Sequence, residues 1–112
     1  MSRRESDIQG EIITMLRLQF GIIAHQSKGT EQPSGRAHAM WDRGGSKGVS
    51  DLGATMPGGF ALWIEVKKPG GKIGPGQQEF IDYQRSQGAC AMIARSVDDV
   101  IEAIKEWKGR KV

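Results

Sequence analysis

Three chemically capable side chains stand close together in the stretch GVSDLGATMPGGFALWIEVKKPGG, residues 48–71. Asp51 opens a short apolar run. Glu65 and Lys67 interrupt a second one, FALWIEVKK, where charges are out of place unless they are used. Side chains alternate across a strand, so Leu62, Ile64 and Val66 share one face while Trp63, Glu65 and Lys67 share the other. If Asp51 begins or precedes a neighbouring strand, its carboxylate approaches that of Glu65. Two carboxylates held together repel, and one tends to keep its proton. A divalent cation removes that conflict. Mg²⁺ takes one or two carboxylates and keeps waters, leaving positions for phosphate oxygens. The carbonyl of Val66, between the two charged side chains, supplies a further oxygen. Such a cation polarises a phosphodiester and activates water. Lys67 is a compact cation whose pKa shifts readily, suited to holding or deprotonating that water or to neutralising a phosphorane-like transition state. The spacing fits metal-assisted phosphodiester hydrolysis. An E-x-K pair alone is a weak signal, equally read as two surface charges on a half-wet strand. Asp51 upstream of a hairpin-like PGG sharpens it.

The elements that must position these residues follow from periodicity. Residues 5–19 place Ile8, Ile12 and Leu16 at helical spacing, with Phe20 continuing the series. GIIAHQ reads as a short strand. Residues 27–50 form a long polar stretch without period, and loops of that size in compact domains are functional or disordered. DLGATM and FALWIEVKK read as strands joined by PGG at 57–59. Pro75 suits the first turn of a helix, PGQQEFIDYQRSQ, and Gly88 its C-terminal end. ACAMIAR is a fourth strand, and Ser96 caps a last helix with Val97, Val100, Ile101 and Ile104 on one face. The expected fold is α/β in the order αβββαβα, a small mixed β-sheet flanked by helices, with the third and fourth strands parallel across a helical crossover.

At 112 residues the chain is expected to form a single domain, 1–112. No apolar run approaches the roughly 20 residues of a membrane helix, and no apolar stretch follows the basic start, so neither a membrane span nor a signal peptide is read. The single Cys90 excludes an internal disulfide and fits a reducing, cytoplasmic setting. A net charge of +3 is compatible with nucleic acid as partner without demanding it. His25 and His38 lack ligand spacing, which argues against zinc. GGKIGPG lacks the G-K-[ST] ending of a phosphate-binding loop.

Four segments in order, ESDIQ, GVSDL, WIEVKKPGGKIGPGQQEF and GACAMIARSVDDVIEAI, resemble the VRR-NUC (virus-type replication-repair nuclease) domain. This is a branch of the PD-(D/E)XK nuclease superfamily, whose members of about this length are typical of phages and bacteria. The resemblance runs from about residue 5 to residue 105, weakest over 27–47. It implies Asp51 and Glu65 as metal ligands, Lys67 as the catalytic lysine, and Glu5 as an additional acidic group touching the metal directly or through water. Ser50 replaces the proline of the superfamily name. Gln77 matches the motif glutamine at the start of the second helix, its neighbour Gln78 leaving some ambiguity, and Gln9 matches that of the first motif. The implied activity is that of a Mg²⁺- or Mn²⁺-dependent endodeoxyribonuclease acting on branched DNA, including four-way junctions, as a homodimer in the cytoplasm of a bacterial or phage-infected cell.

Competing readings attach to several of these residues. Ser2-x-x-Glu5 also fits a capping box, in which Glu5 bonds back to the Ser2 backbone. Gln9, one turn on from Glu5, orients it, contacts a phosphate or simply faces solvent. In the long loop Lys28, Arg36, Arg43 and Lys47 attract a phosphate backbone and Trp41 can stack on a base, so these are the nucleic-acid-binding candidates. A non-enzymatic nucleic-acid-binding or assembly module retaining the nuclease fold is the alternative to catalysis, and a sequence-specific, restriction-like enzyme a third possibility.

Overall fold

A computed structural model of the chain describes residues 4–27 and 49–111. Among them the order is α1 (Glu5–Met15), a π-helical turn (Leu16–Phe20), β1 (His25–Gln26), β2 (Leu52–Met56), β3 (Phe60–Val66), α2 (Pro75–Ser86), β4 (Cys90–Ala94) and α3 (Val97–Lys111). The four strands form one mixed sheet in the order β1-β2-β3-β4. β1 and β2, and β2 and β3, run antiparallel, while β3 and β4 are parallel, as the helical crossover through α2 requires.

Alternation divides the sheet into two unlike faces. Leu52 and Met56 of β2, Leu62, Ile64 and Val66 of β3, and Cys90, Met92 and Ala94 of β4 point into one core. Ile8, Ile12 and Leu16 from the first helix, and Val100, Ile104 and Trp107 from α3, close that core from the other side. Fully burying an aliphatic side chain contributes about 1.5–3 kcal/mol, so this layer carries most of the stability. The opposite face receives α2, through fully buried Ile81 and an edge-to-face contact of Phe80 with Trp63, the ring centroids being 5.2 Å apart.

Local chemistry accounts for the ends of the elements. Pro57-Gly58-Gly59 makes a three-residue hairpin closed by Gly59 N–H donating to the Met56 carbonyl at 2.9 Å. Gly58 and Gly59 both have positive φ, 92° and 88°, which side chains with a Cβ rarely adopt. Pro75 begins α2, and Gly88 follows its C-cap Gln87. Ser96 Oγ accepts the Asp99 N–H at 3.2 Å, capping α3 as expected.

Two expectations are refined. The first helix does not run uniformly through residue 19: it widens after Met15 into the π turn, which buries Leu16 fully and sets Phe20 against the core while Leu18 is left 73% exposed. The first strand is shorter than GIIAHQ. Ile22 turns into the core, Ile23 lies exposed, and only His25 and Gln26 pair with β2. No described helix is long and apolar enough to cross a membrane.

Three positions give tests of this packing. Gly53 lies opposite Trp63, and a Cβ there would sit 2.8 Å from the indole. Gly53→Ala should cost about 1–3 kcal/mol in denaturant unfolding and change the tryptophan emission, since overpacking displaces a ring wedged against Phe80. Ser50 is fully buried and its hydroxyl has no partner among the described residues. Because an unsatisfied buried polar atom is costly, Ser50→Ala should leave the unfolding midpoint unchanged or raise it. Burial pushes the Cys90 thiol up from 9.0 to about 11, against the opposing pull of Arg110 and Arg85. The folded state therefore keeps a proton that the unfolded chain loses. Stability is expected to be full below pH 9 and to fall towards pH 11, and thiol labelling at neutral pH should track unfolding.

Candidate active site

The hairpin register decides where the charges meet. Leu52 pairs with Ile64 and Met56 with Phe60, so one step beyond the ladder Asp51 comes opposite Glu65. Cross-strand neighbours on one face stand about 4.5–5.5 Å apart at Cβ. The Asp51 carboxylate is fixed there by accepting the Val66 backbone N–H through Oδ2 at 2.8 Å. Its own carbonyl accepts the Ser27 N–H at 2.8 Å, tying the same residue to the end of β1. Asp51 is thus bound to the peptide that separates Glu65 from Lys67. In an extended strand the N–H and C=O of one residue point to the same side, which directs the Val66 carbonyl towards Asp51 as well.

Glu65 is 2% exposed, an unusual burial for a carboxylate, and it is not left bare. Gln77 Nε2 donates to Glu65 Oε2 at 2.7 Å, and Lys67 Nζ lies 3.8 Å from the same oxygen. The Gln77 amide is held at its other end, where Oε1 accepts the Gly74 N–H at 2.8 Å. That second bond fixes which end of the amide faces the carboxylate. Gln77 is the third residue of α2 and Phe80 lies one turn further, so the helix grips Trp63 and Glu65 of β3 with two side chains of one face. Gln78 points elsewhere, donating to Asp82 Oδ1 at 2.9 Å. Lys67 is confined by its neighbours: its side chain is 13% exposed, and its N–H donates to the Ala94 carbonyl at 2.9 Å.

The structure brings Asp51, Glu65, Val66, Lys67 and Gln77 to one end of the sheet. It does not gather Glu5 with them: among the described residues no three acidic, histidine or cysteine side chains lie close enough to hold a metal together. The capping-box alternative for Glu5 does not fit either, because Arg4 is the extended N-cap residue and Glu5 is the first helical residue, not the third. Glu5 and Gln9 are half-buried on α1. Lys28, Arg36, Trp41, Arg43 and Lys47 lie outside the described residues. So do Ser2 and His38.

The donor set suits a hard cation. Two carboxylates and a peptide carbonyl are all oxygen ligands, the preference of Mg²⁺ and Mn²⁺. One charged residue near this end was given no role in the sequence reading: Arg95, the residue after β4, whose Nη1 donates to the Lys68 carbonyl at 2.8 Å. Its position was legible from the alternation of ACAMIAR.

The VRR-NUC domain profile matches residues 4–98. A solved structure described as a VRR_NUC domain protein superposes with a TM-score of 0.66 at 24% identity, covering 96% of this chain and 89% of the other. A second, a VRR_NUC domain, gives 0.63 at 20% identity, with 90% and 94% covered. At these identities the two structures speak for the fold. A comparison with curated proteins finds no match. With a family match spanning most of its length and a mixed sheet shared with both structures, the chain belongs to the VRR-NUC family of nuclease-type domains.

Proposed function

We propose that the protein is a metal-dependent endodeoxyribonuclease directed by DNA structure, with branched DNA and four-way junctions as substrates. The observation that carries this reading is the Asp51–Val66 hydrogen bond, which sets a second carboxylate beside Glu65 and Lys67 on one sheet face. Asp51, Glu65 and the Val66 carbonyl would hold a Mg²⁺ or Mn²⁺ ion. When bound, that ion supplies Lewis-acid polarisation of the phosphodiester and acidifies water. Glu5 acts at greater distance, through water.

The remaining work falls to the chain. Gln77 orients the Glu65 carboxylate and keeps one oxygen turned towards α2. Lys67 Nζ, as an ammonium, holds the attacking water and offsets the charge that builds on the phosphoryl oxygens. Burial of both groups limits rearrangement as that charge develops. Substrate choice rests on shape and backbone contacts, with the basic residues Lys28, Arg36, Arg43 and Lys47 attracting phosphates and Trp41 and Gln9 adding contacts. Symmetric cutting of a junction needs two sites, so the working form is a homodimer.

Purified protein should cut labelled four-way and branched DNA in Mg²⁺ or Mn²⁺ and stop in EDTA. Glu65→Gln, Asp51→Asn and Lys67→Ala should each lower the rate by about 10²–10⁴-fold, the range of a lost acid–base or charge-stabilising group. Gln77→Ala should cost about 10–100-fold, as for residues that orient a metal ligand. A wild-type protein inert on every DNA form with both metals, or a Glu65→Gln variant of full activity, contradicts the proposal.

A further inference from the structure

The carboxylate face carries one cation that the scheme above leaves unused. In β4 the side chains of Cys90, Met92 and Ala94 enter the core, so Ala91 and Ile93 face the α2 side and Arg95 continues their row. The parallel register sets Ile93 beside Glu65 and Ala94 beside Val66. The Lys67 N–H bond to the Ala94 carbonyl carries the pairing one step further, which leaves Arg95 flanking Lys67. The backbone of Arg95 is fixed by its N–H donating to Asp99 Oδ2 at 2.8 Å, and its side chain by the bond from Nη1 to the Lys68 carbonyl. The guanidinium is therefore braced at the exit of β3, half-buried, beside the catalytic lysine. A guanidinium has five N–H donors, and among the described residues no carboxylate forms an ion pair with this one.

Electrostatics gives that arrangement a use. Asp51 and Glu65 repel an incoming phosphodiester, and the ammonium of Lys67 already lies against Glu65. A second cation on the same face, rigid and not committed to an acid, answers the remaining need, and the planar fork of arginine matches two oxygens of one phosphate. We infer that Arg95 binds a backbone phosphate of the nucleic-acid substrate next to the one being cut. This inference rests on the nuclease reading of the site.

A bracing role for Arg95 and a phosphate role separate by charge. Arg95→Gln keeps an N–H donor for the Lys68 carbonyl and removes the charge, whereas Arg95→Lys keeps the charge. Binding of a fluorescein-labelled DNA duplex to the full chain is followed by anisotropy in EDTA over a KCl series. The slope of log K against log [KCl] is expected to become shallower by about 0.9 in Arg95→Gln, the loss of one phosphate contact, and to stay at the wild-type value in Arg95→Lys. Mn²⁺ titration heat should be the same in all three proteins. An unchanged slope in Arg95→Gln overturns the inference, as does an equal loss in Arg95→Lys or a wild type that fails to bind duplex at low salt. Absence of cleavage by the wild type would remove the nuclease reading while leaving the slope comparison intact.

Discussion

The site depends on a single register. Asp51 lies five residues before Met56 and Glu65 five residues after Phe60, and those two residues pair across the Pro57-Gly58-Gly59 turn. The two carboxylates are symmetric about a three-residue hairpin, and its register brings them together. A slip of one residue would turn Glu65 into the apolar core and drive Ile64 or Val66 out of it. The apolar packing of Leu62, Ile64 and Val66 under α1 and α3 therefore guards the position of the charges on the other face. Stability and chemistry are separated by the thickness of one sheet, yet the first enforces the second.

The register also creates a problem that the surroundings answer in part. Two carboxylates at cross-strand spacing repel by about 3 kcal/mol at an effective dielectric constant of 20. Each is supplied with its own donor: the Val66 N–H for Asp51, the Gln77 amide and the Lys67 ammonium for Glu65. These donors give one oxygen of each carboxylate a partner and fix its orientation. They do so from the α2 and backbone sides, and a cation placed between the carboxylates would complete the balance. Gln77 is central here because its amide is gripped twice. The bond from Gly74 N–H to its carbonyl prevents the flip that would turn an acceptor towards Glu65.

Much of this was legible in the sequence because it rests on short-range rules. Alternation in FALWIEVKK separated core from site and PGG marked the hairpin, while Gln77 was singled out by the family resemblance and told from Gln78 by its bond to Glu65. What the sequence left open concerns residues whose position depends on tertiary contacts. Glu5 lies on a helix whose angle to the sheet is set by Ile8, Ile12 and Leu16, and its distance from the carboxylates cannot be counted along the chain. The π turn at Leu16–Phe20 is a local accommodation that lets two bulky residues reach one core, and the helical period predicts no such widening. Arg95 escaped notice because it follows a strand read for its apolar run, although the same alternation that exposed Glu65 also places it.

The burial of Glu65 bears on whether this fold works as an enzyme or only as a platform for nucleic acid. A buried ion pair commonly contributes little to stability, and apolar replacements of similar volume are often neutral or favourable. A binding module would have its basic surface and its sheet without an acid at position 65. It would also gain nothing from an ammonium 3.8 Å away or from an amide clamped to present its N–H to one carboxylate oxygen. The arrangement buries a carboxylate at one end of the sheet, which is costly unless its partners are in place. Such a cost is intelligible where a carboxylate must be held in one orientation beside a second one, which the proposed metal-assisted site asks and a surface that merely attracts phosphates does not.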